Sequence, residues 1–193
     1  MHNILPPAPG VYWHQIQSLD MFINIIMIMN TKEHSDLNIN IEQIKKLPFD
    51  FKKLDYQRVP DPQFDISDKS ILGEMYNDKM DSNKNNLNFL NDFGWQNFAW
   101  GFYKLSPGKW IPPHVDHFEN YARFYNITDK SKIKRALIFL EDWKPGHMFM
   151  LNNNLVLDWK AGDCYTWKHN TKHWGGNFGV VQRYTLQLTG IPN

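Results

Sequence analysis

One cysteine in 193 residues, Cys164, excludes an intrachain disulfide and a cysteine-rich zinc site, and fits a reducing compartment. Excess charge of either sign is also missing. Lys+Arg 21 against Asp+Glu 20 gives net +1 and a pI near 7.8, which argues against a broad electrostatic footprint for DNA, RNA or an anionic membrane and leaves only local patches. There is no long hydrophobic run. The apolar stretch from Phe22 to Met29 is interrupted by Asn24, is too short to cross a bilayer, and has neither a basic leader nor a cleavage motif. It reads as a buried strand, and the expected location is cytoplasmic. No repeat of solenoid length occurs. A chain of this length is expected to fold as a single domain, 1–193, with a sizeable core.

Aromatic residues are plentiful. They make up 15% of the chain, with eight Trp, and crowd the sequence from Phe93 onward, which points to a β-rich core around an aromatic-lined cleft. Arg123, Trp100, Trp167, Trp174 and Phe178 are candidates for its rim, although core or surface packing is the ordinary role of each.

The chain divides in character near residue 95. Residues 1–95 read as a helical and extended support region. It comprises the apolar strand, a short helix over Ile41–Leu47 ending before Pro48, a loop at Val59–Pro62, a helix over Ser70–Met80, a polar loop at 81–86 and a short helix over Leu87–Phe93. Residues 96–190 read as strands: Asn97–Leu105, Lys109–Val115 after a turn at Ser106–Gly108, and Ile133–Leu140. A hairpin of Met148–Leu151 and Leu155–Trp159 follows, then Cys164–Trp167 after a turn at Ala161–Asp163, and Val180–Leu188. Short strands following a helical third suggest a mainly β jelly-roll barrel buttressed by N-terminal helices.

The chemistry is carried by histidines. On a strand, residues i and i+2 share a side, so His114 and Asp116 can reach one metal ion, and His173 can add a second imidazole. Two histidines and one carboxylate on one face leave coordination positions open, a set suited to non-haem Fe(II) and oxygen. The pair alone is weak evidence: 8 His and 20 acidic residues give roughly 0.8 such pairs by chance, and His117-x-Glu119 is a second one. His114/Asp116 is preferred because it closes a strand. His169 and His147 are rivals for the third ligand, with His173 preferred for the small residues that follow it. In the last strand Tyr184, Leu186 and Leu188 form an apolar face, and Arg183, Thr185 and Gln187 a polar one. If the polar face lines the barrel, Arg183 needs an anionic partner.

His-x-Asp, a distal His 57 residues on, and Arg ten residues beyond that with Thr two places later resembles the 2-oxoglutarate- and Fe(II)-dependent dioxygenases. The prolyl- and aspartyl-hydroxylase-like branches are nearest in spacing. The likeness covers about residues 97–190 and includes Gly162-Asp163. It implies a double-stranded β-helix, with His114, Asp116 and His173 as iron ligands. It also implies that Arg183 and Thr185 hold the far carboxylate of 2-oxoglutarate and that Tyr103 adds a hydrogen bond. The implied reaction is hydroxylation of a C–H bond of an amino acid, a peptidyl side chain or a small metabolite, with O2 consumed and succinate and CO2 released. Retention of Asp116 favours hydroxylation over halogenation. A cupin-like metalloprotein of another activity and a non-catalytic β-barrel binding module are the alternatives. Neither a nucleic-acid nor a membrane partner is indicated.

Overall fold

The computed structural model describes residues 41–42, 52–53, 73–77 and 93–193, all within one compact unit, Lys32–Asn193. The strands are β1 (Lys52–Lys53), β2 (Glu74–Asn77), β3 (Trp95–Leu105), β4 (Trp110–His114), β5 (Lys134–Phe139), β6 (His147–Leu151), β7 (Asn154–Val156), β8 (Cys164–Lys168), β9 (His173–Asn177) and β10 (Arg183–Pro192). A short helix, α1 (Glu119–Phe124), and a 3-10 turn at Lys130–Lys132 lie between β4 and β5. The strands form two antiparallel sheets, ordered β1-β2-β3-β10-β5-β8 and β4-β9-β6-β7. From β3 onward the chain passes back and forth between the sheets, and this winding makes the fold a double-stranded β-helix.

The pattern of β5 explains the sandwich. Its sequence KRALIF is buried on both faces, as expected of a central strand covered on either side. Leu137 and Phe139 point between the sheets and pack with Phe149, Val156, Trp159, Tyr165 and Trp167. Ala136 and Ile138 point the other way, joining Phe102, Cys164, Leu186 and Leu188 on the far side of the larger sheet, where Ile41 packs against them. Leu186 and Leu188 are fully buried there. Alternation along β10 therefore turns Arg183, Thr185 and Gln187 into the space between the sheets.

Turn chemistry sets the connections. Asn152 and Asn153 both have positive φ, which suits a two-residue hairpin between β6 and β7. Gly108, at φ +75°, closes the turn between β3 and β4, where Lys109 N–H donates to the Ser106 carbonyl.

Several expectations are corrected. The helix over Ser70–Met80 is instead strand at Glu74–Asn77, paired antiparallel with Gly101–Lys104 of β3. A ladder along the edge of an eleven-residue strand outweighs a weak helical periodicity interrupted by Gly73. Together with β1, β2 makes the support region a source of strands as well as of helix. Helix is present at Ile41–Glu42, and Phe93–Gly94 is a turn. The remainder of the expected helices at 41–47 and 87–93, the strand at 22–29 and the loops at 59–62 and 81–86 lie outside the described residues. The final strand begins at Arg183 rather than Val180 and runs on to Pro192, and the second hairpin strand stops at Val156. No helix among the described residues is long and apolar enough to cross a membrane.

Candidate metal centre

The two histidines meet through strand pairing. β4 and β9 are antiparallel neighbours in which His114 stands directly opposite His173, across a register shift at Pro112-Pro113. Facing residues hold their side chains close, and the imidazole centroids are 4.2 Å apart. The expected i, i+2 placement of His114 and Asp116 on one strand needs correction: β4 ends at His114, and Asp116 lies just beyond it. Asp116 nevertheless reaches the same point, with Oδ2 3.4 Å from His173 Nε2. One ligand atom from each of His114, Asp116 and His173 lies within 4.8 Å of the others.

Both rings are oriented by the backbone. His114 Nδ1 is 2.8 Å from the Pro112 carbonyl and His173 Nδ1 is 2.9 Å from that of Thr171. A carbonyl can only accept, so each Nδ1 carries the proton and each Nε2 presents a lone pair. Burial holds both histidines in the neutral form needed for ligation: it lowers the pKa of His114, and takes His173 down to about 3 with help from the neighbouring His114. Burial alone would raise the pKa of Asp116, but the neighbouring Arg135 guanidinium leads the effects that oppose it, and the net shift is downward, which keeps the carboxylate ionised. Its Oδ2 is buried and accepts no well-aligned hydrogen bond. Two free imidazole nitrogens and a buried carboxylate oxygen that accepts no well-aligned hydrogen bond converge on one point, a set that fits a divalent metal ion.

A cleft partly open to solvent adjoins this point. His114, His173, Arg183 and Thr185 all line it. Arg183 is almost fully buried, with Nη1 donating to the carbonyls of Met148 and Gly176. Burial lowers its pKa to about 10, partly offset by Glu141, so it stays charged at neutral pH. No carboxylate among the described residues forms a salt bridge with it, and its Nε has no acceptor. Gly175 makes room for the guanidinium, since a β-carbon there would stand 2.7 Å from Arg183 Nη2. Tyr103 lines the cleft beside Thr185, its cross-strand partner, and burial pushes its pKa up to about 12, keeping the hydroxyl protonated.

The remaining sequence candidates fall elsewhere. His117 is exposed and contacts the Asn170 amide, and Glu119 pairs with Lys130. His147 is fully buried, with Nε2 3.2 Å from the Val181 carbonyl, and His169 is not in the ligand cluster. Trp167 and Trp174 line the cleft; Trp100 packs edge-on against Phe102 beside the outer core, while Arg123 and Phe178 are exposed. Sequence reasoning missed Arg135, whose Nε lies 3.3 Å from Asp116 Oδ2, and gave no role to Gln187. A signal for Arg135 was present: it shares the parity of Leu137 and Phe139 on β5, which face the interior.

No family model matches the chain, and no curated protein matches it. Similar solved structures include a predicted oxalate decarboxylase from Thermotoga maritima (17% identity, TM-score 0.39, covering 62% of this chain and 80% of that one). A putative sugar phosphate isomerase from Acidithiobacillus ferrooxidans overlaps at 13% identity and TM-score 0.41, over 80% of this chain and 74% of that one. A conserved protein with a double-stranded β-helix domain from Klebsiella pneumoniae overlaps at 17% identity and TM-score 0.35, over 50% and 69%. At such scores the fold assignment rests on the strand orders given above.

Proposed function

We propose that this protein is an Fe(II)- and 2-oxoglutarate-dependent dioxygenase that hydroxylates a C–H bond of an amino acid, a peptidyl side chain or a small metabolite. The observation that carries the reading is Arg183, a buried guanidinium that forms no salt bridge with a carboxylate among the described residues, in the same cleft as His114 and His173. A buried cation is costly unless a counter-ion arrives, and a dicarboxylate that also reaches the metal would provide one.

Bound Fe(II), with 2-oxoglutarate and O2, supplies the oxidising chemistry, which yields succinate, CO2 and a hydroxylated product. The chain's part is to bind and orient. His114, Asp116 and His173 would hold the metal through one face and leave the rest of its coordination open. Arg183 would take the far carboxylate of 2-oxoglutarate through its fork of donors, and the Thr185 hydroxyl would donate to the same group. The protonated Tyr103 hydroxyl is a further donor on the cleft wall. Trp167, Phe149 and Leu137 make that wall apolar and limit water near the reacting atoms.

Anaerobic addition of Fe(II) and 2-oxoglutarate should produce a weak visible charge-transfer band, and admission of air should release succinate. His114→Ala should abolish the band, whereas Arg183→Ala should weaken 2-oxoglutarate binding. Metal binding with neither band nor succinate would refute the assignment and select a cupin-type metalloprotein that has no use for Arg183. Failure to bind metal at all would leave a binding module.

A further inference from the structure

Arg135 is placed with unusual care for a residue that does not border the cleft. It stands on β5 opposite Trp167 of β8, with its guanidinium 5.0 Å from the Phe118 ring centroid. Its Nε is 3.3 Å from Asp116 Oδ2, the same oxygen that lies 3.4 Å from His173 Nε2. Gln187 contacts it as well. With the amide oriented to satisfy both neighbours, its oxygen accepts from Arg135 Nε at 2.8 Å and from Nη1, and its NH2 donates to the Tyr103 hydroxyl at 2.9 Å. A continuous chain of contacts thus runs Tyr103–Gln187–Arg135–Asp116 and ends on a metal-ligand carboxylate.

We infer that Arg135 is a resident counter-cation of the metal centre, a positioning residue that neutralises Asp116 in the metal-free protein and opposes the entry of a divalent ion. The inference rests on the reading of His114, Asp116 and His173 as metal ligands. Asp116 is mostly buried, and a carboxylate so placed needs a positive charge to balance it. The Arg135 guanidinium supplies that charge at the oxygen a metal would use. Because Gln187 and Phe118 hold it in place, it stays a nearby positive charge when the metal arrives, and like charges in a poorly screened site repel strongly. Metal binding to the protein alone is therefore held weak, and a dianionic ligand that offsets both Arg135 and Arg183 would tighten it.

The test is Mn(II) affinity, measured by water-proton relaxation on the full chain without 2-oxoglutarate. Arg135→Met should bind Mn(II) at least tenfold more tightly than the wild type, and Arg135→Lys, which keeps the charge, should stay within about threefold of it. A purely structural role predicts the opposite sign, since a misplaced Asp116 weakens binding. Unchanged or weaker binding in a folded Arg135→Met protein, judged by circular dichroism, would overturn the inference. If that variant does not fold, Arg135→Gln carries the same expectation and the same refutation. His114→Ala keeps the two levels separate. If it leaves wild-type Mn(II) binding intact, the metal-site reading fails; if it abolishes binding while Arg135→Met does not tighten it, only the role of Arg135 fails.

Discussion

Gly175→Ala should uncouple the anion end of the cleft from its metal end. Gly175 lies on β9 two residues beyond His173, facing Ile111 on one side and Phe149 on the other. Its backbone is not in the left-handed region, so alanine meets no conformational penalty there. The difficulty is space. The new β-carbon would stand 2.7 Å from Arg183 Nη2 and 3.3 Å from the Met148 carbonyl, where ordinary contact begins at 3.4 Å. The guanidinium must therefore withdraw by about 0.7 Å. It cannot do so freely, because Nη1 is tied to Met148 O and Gly176 O.

A bound carboxylate would feel that withdrawal directly. Loss of one charge-assisted hydrogen bond is worth roughly 1.5–3 kcal/mol, or about a ten- to hundredfold weakening. Arg183 holds β9 at the Gly176 carbonyl, three residues beyond the His173 that faces His114, so metal affinity should change by less than about twofold. Calorimetric titration of 2-oxoglutarate into Mn(II)-loaded protein, alongside Mn(II) titration of the free protein, measures both. Unchanged 2-oxoglutarate affinity would show that Arg183 is not the anion's partner. A parallel loss of Mn(II) binding would show that the two ends are one packing unit, and either result would refute the reasoning.

Two further outcomes follow from the site's geometry. His173→Ala should weaken Mn(II) binding by about a hundredfold or more, whereas His117→Ala and Glu119→Ala should leave it unchanged, since that pair faces Asn170 and Lys130; sensitivity at His117 would revive the rival motif. Acid should destabilise the metal-free protein through His173. The unfolded chain takes up its proton near pH 6.5 but the folded one only near pH 3, so this stability is complete above about 6.5 and is lost as pH falls towards 3. The slope approaches about 1.4 kcal/mol per pH unit for that group. Urea titrations with a chelator between pH 7.5 and 5 should show a shallower slope for His173→Gln, and parallel slopes would contradict the assignment.

The polar face of β10 was the most legible part of the site, because alternation is a local property. Once Leu186 and Leu188 are buried on one side, Arg183, Thr185 and Gln187 must lie on the other, and the sequence states that parity outright. The strand at Glu74–Asn77 was not legible for the converse reason. Its state is decided by the free edge of β3, a partner some twenty-five residues away that no local propensity describes.

The candidate metal ligands fall between these cases. Spacing suggested that His114 and Asp116 share a strand face, yet β4 stops at His114 and the decisive neighbour is His173, opposite it on β9. The three side chains do converge, but not for the stated cause: cross-strand register, rather than the two-residue period, brings the imidazoles together. The same distinction explains why Arg135 escaped notice. An arginine inside the run KRALIF looks like the solvated start of a strand, and its parity with Leu137 and Phe139 is informative only if both faces are known to be covered. Once they are, a guanidinium on the inner face must have a counter-charge within reach, and Asp116 is that group. If a metal enters, the acidic half of the opening motif would answer to two cations, one resident and one incoming, and competition between them would set how tightly the centre holds it.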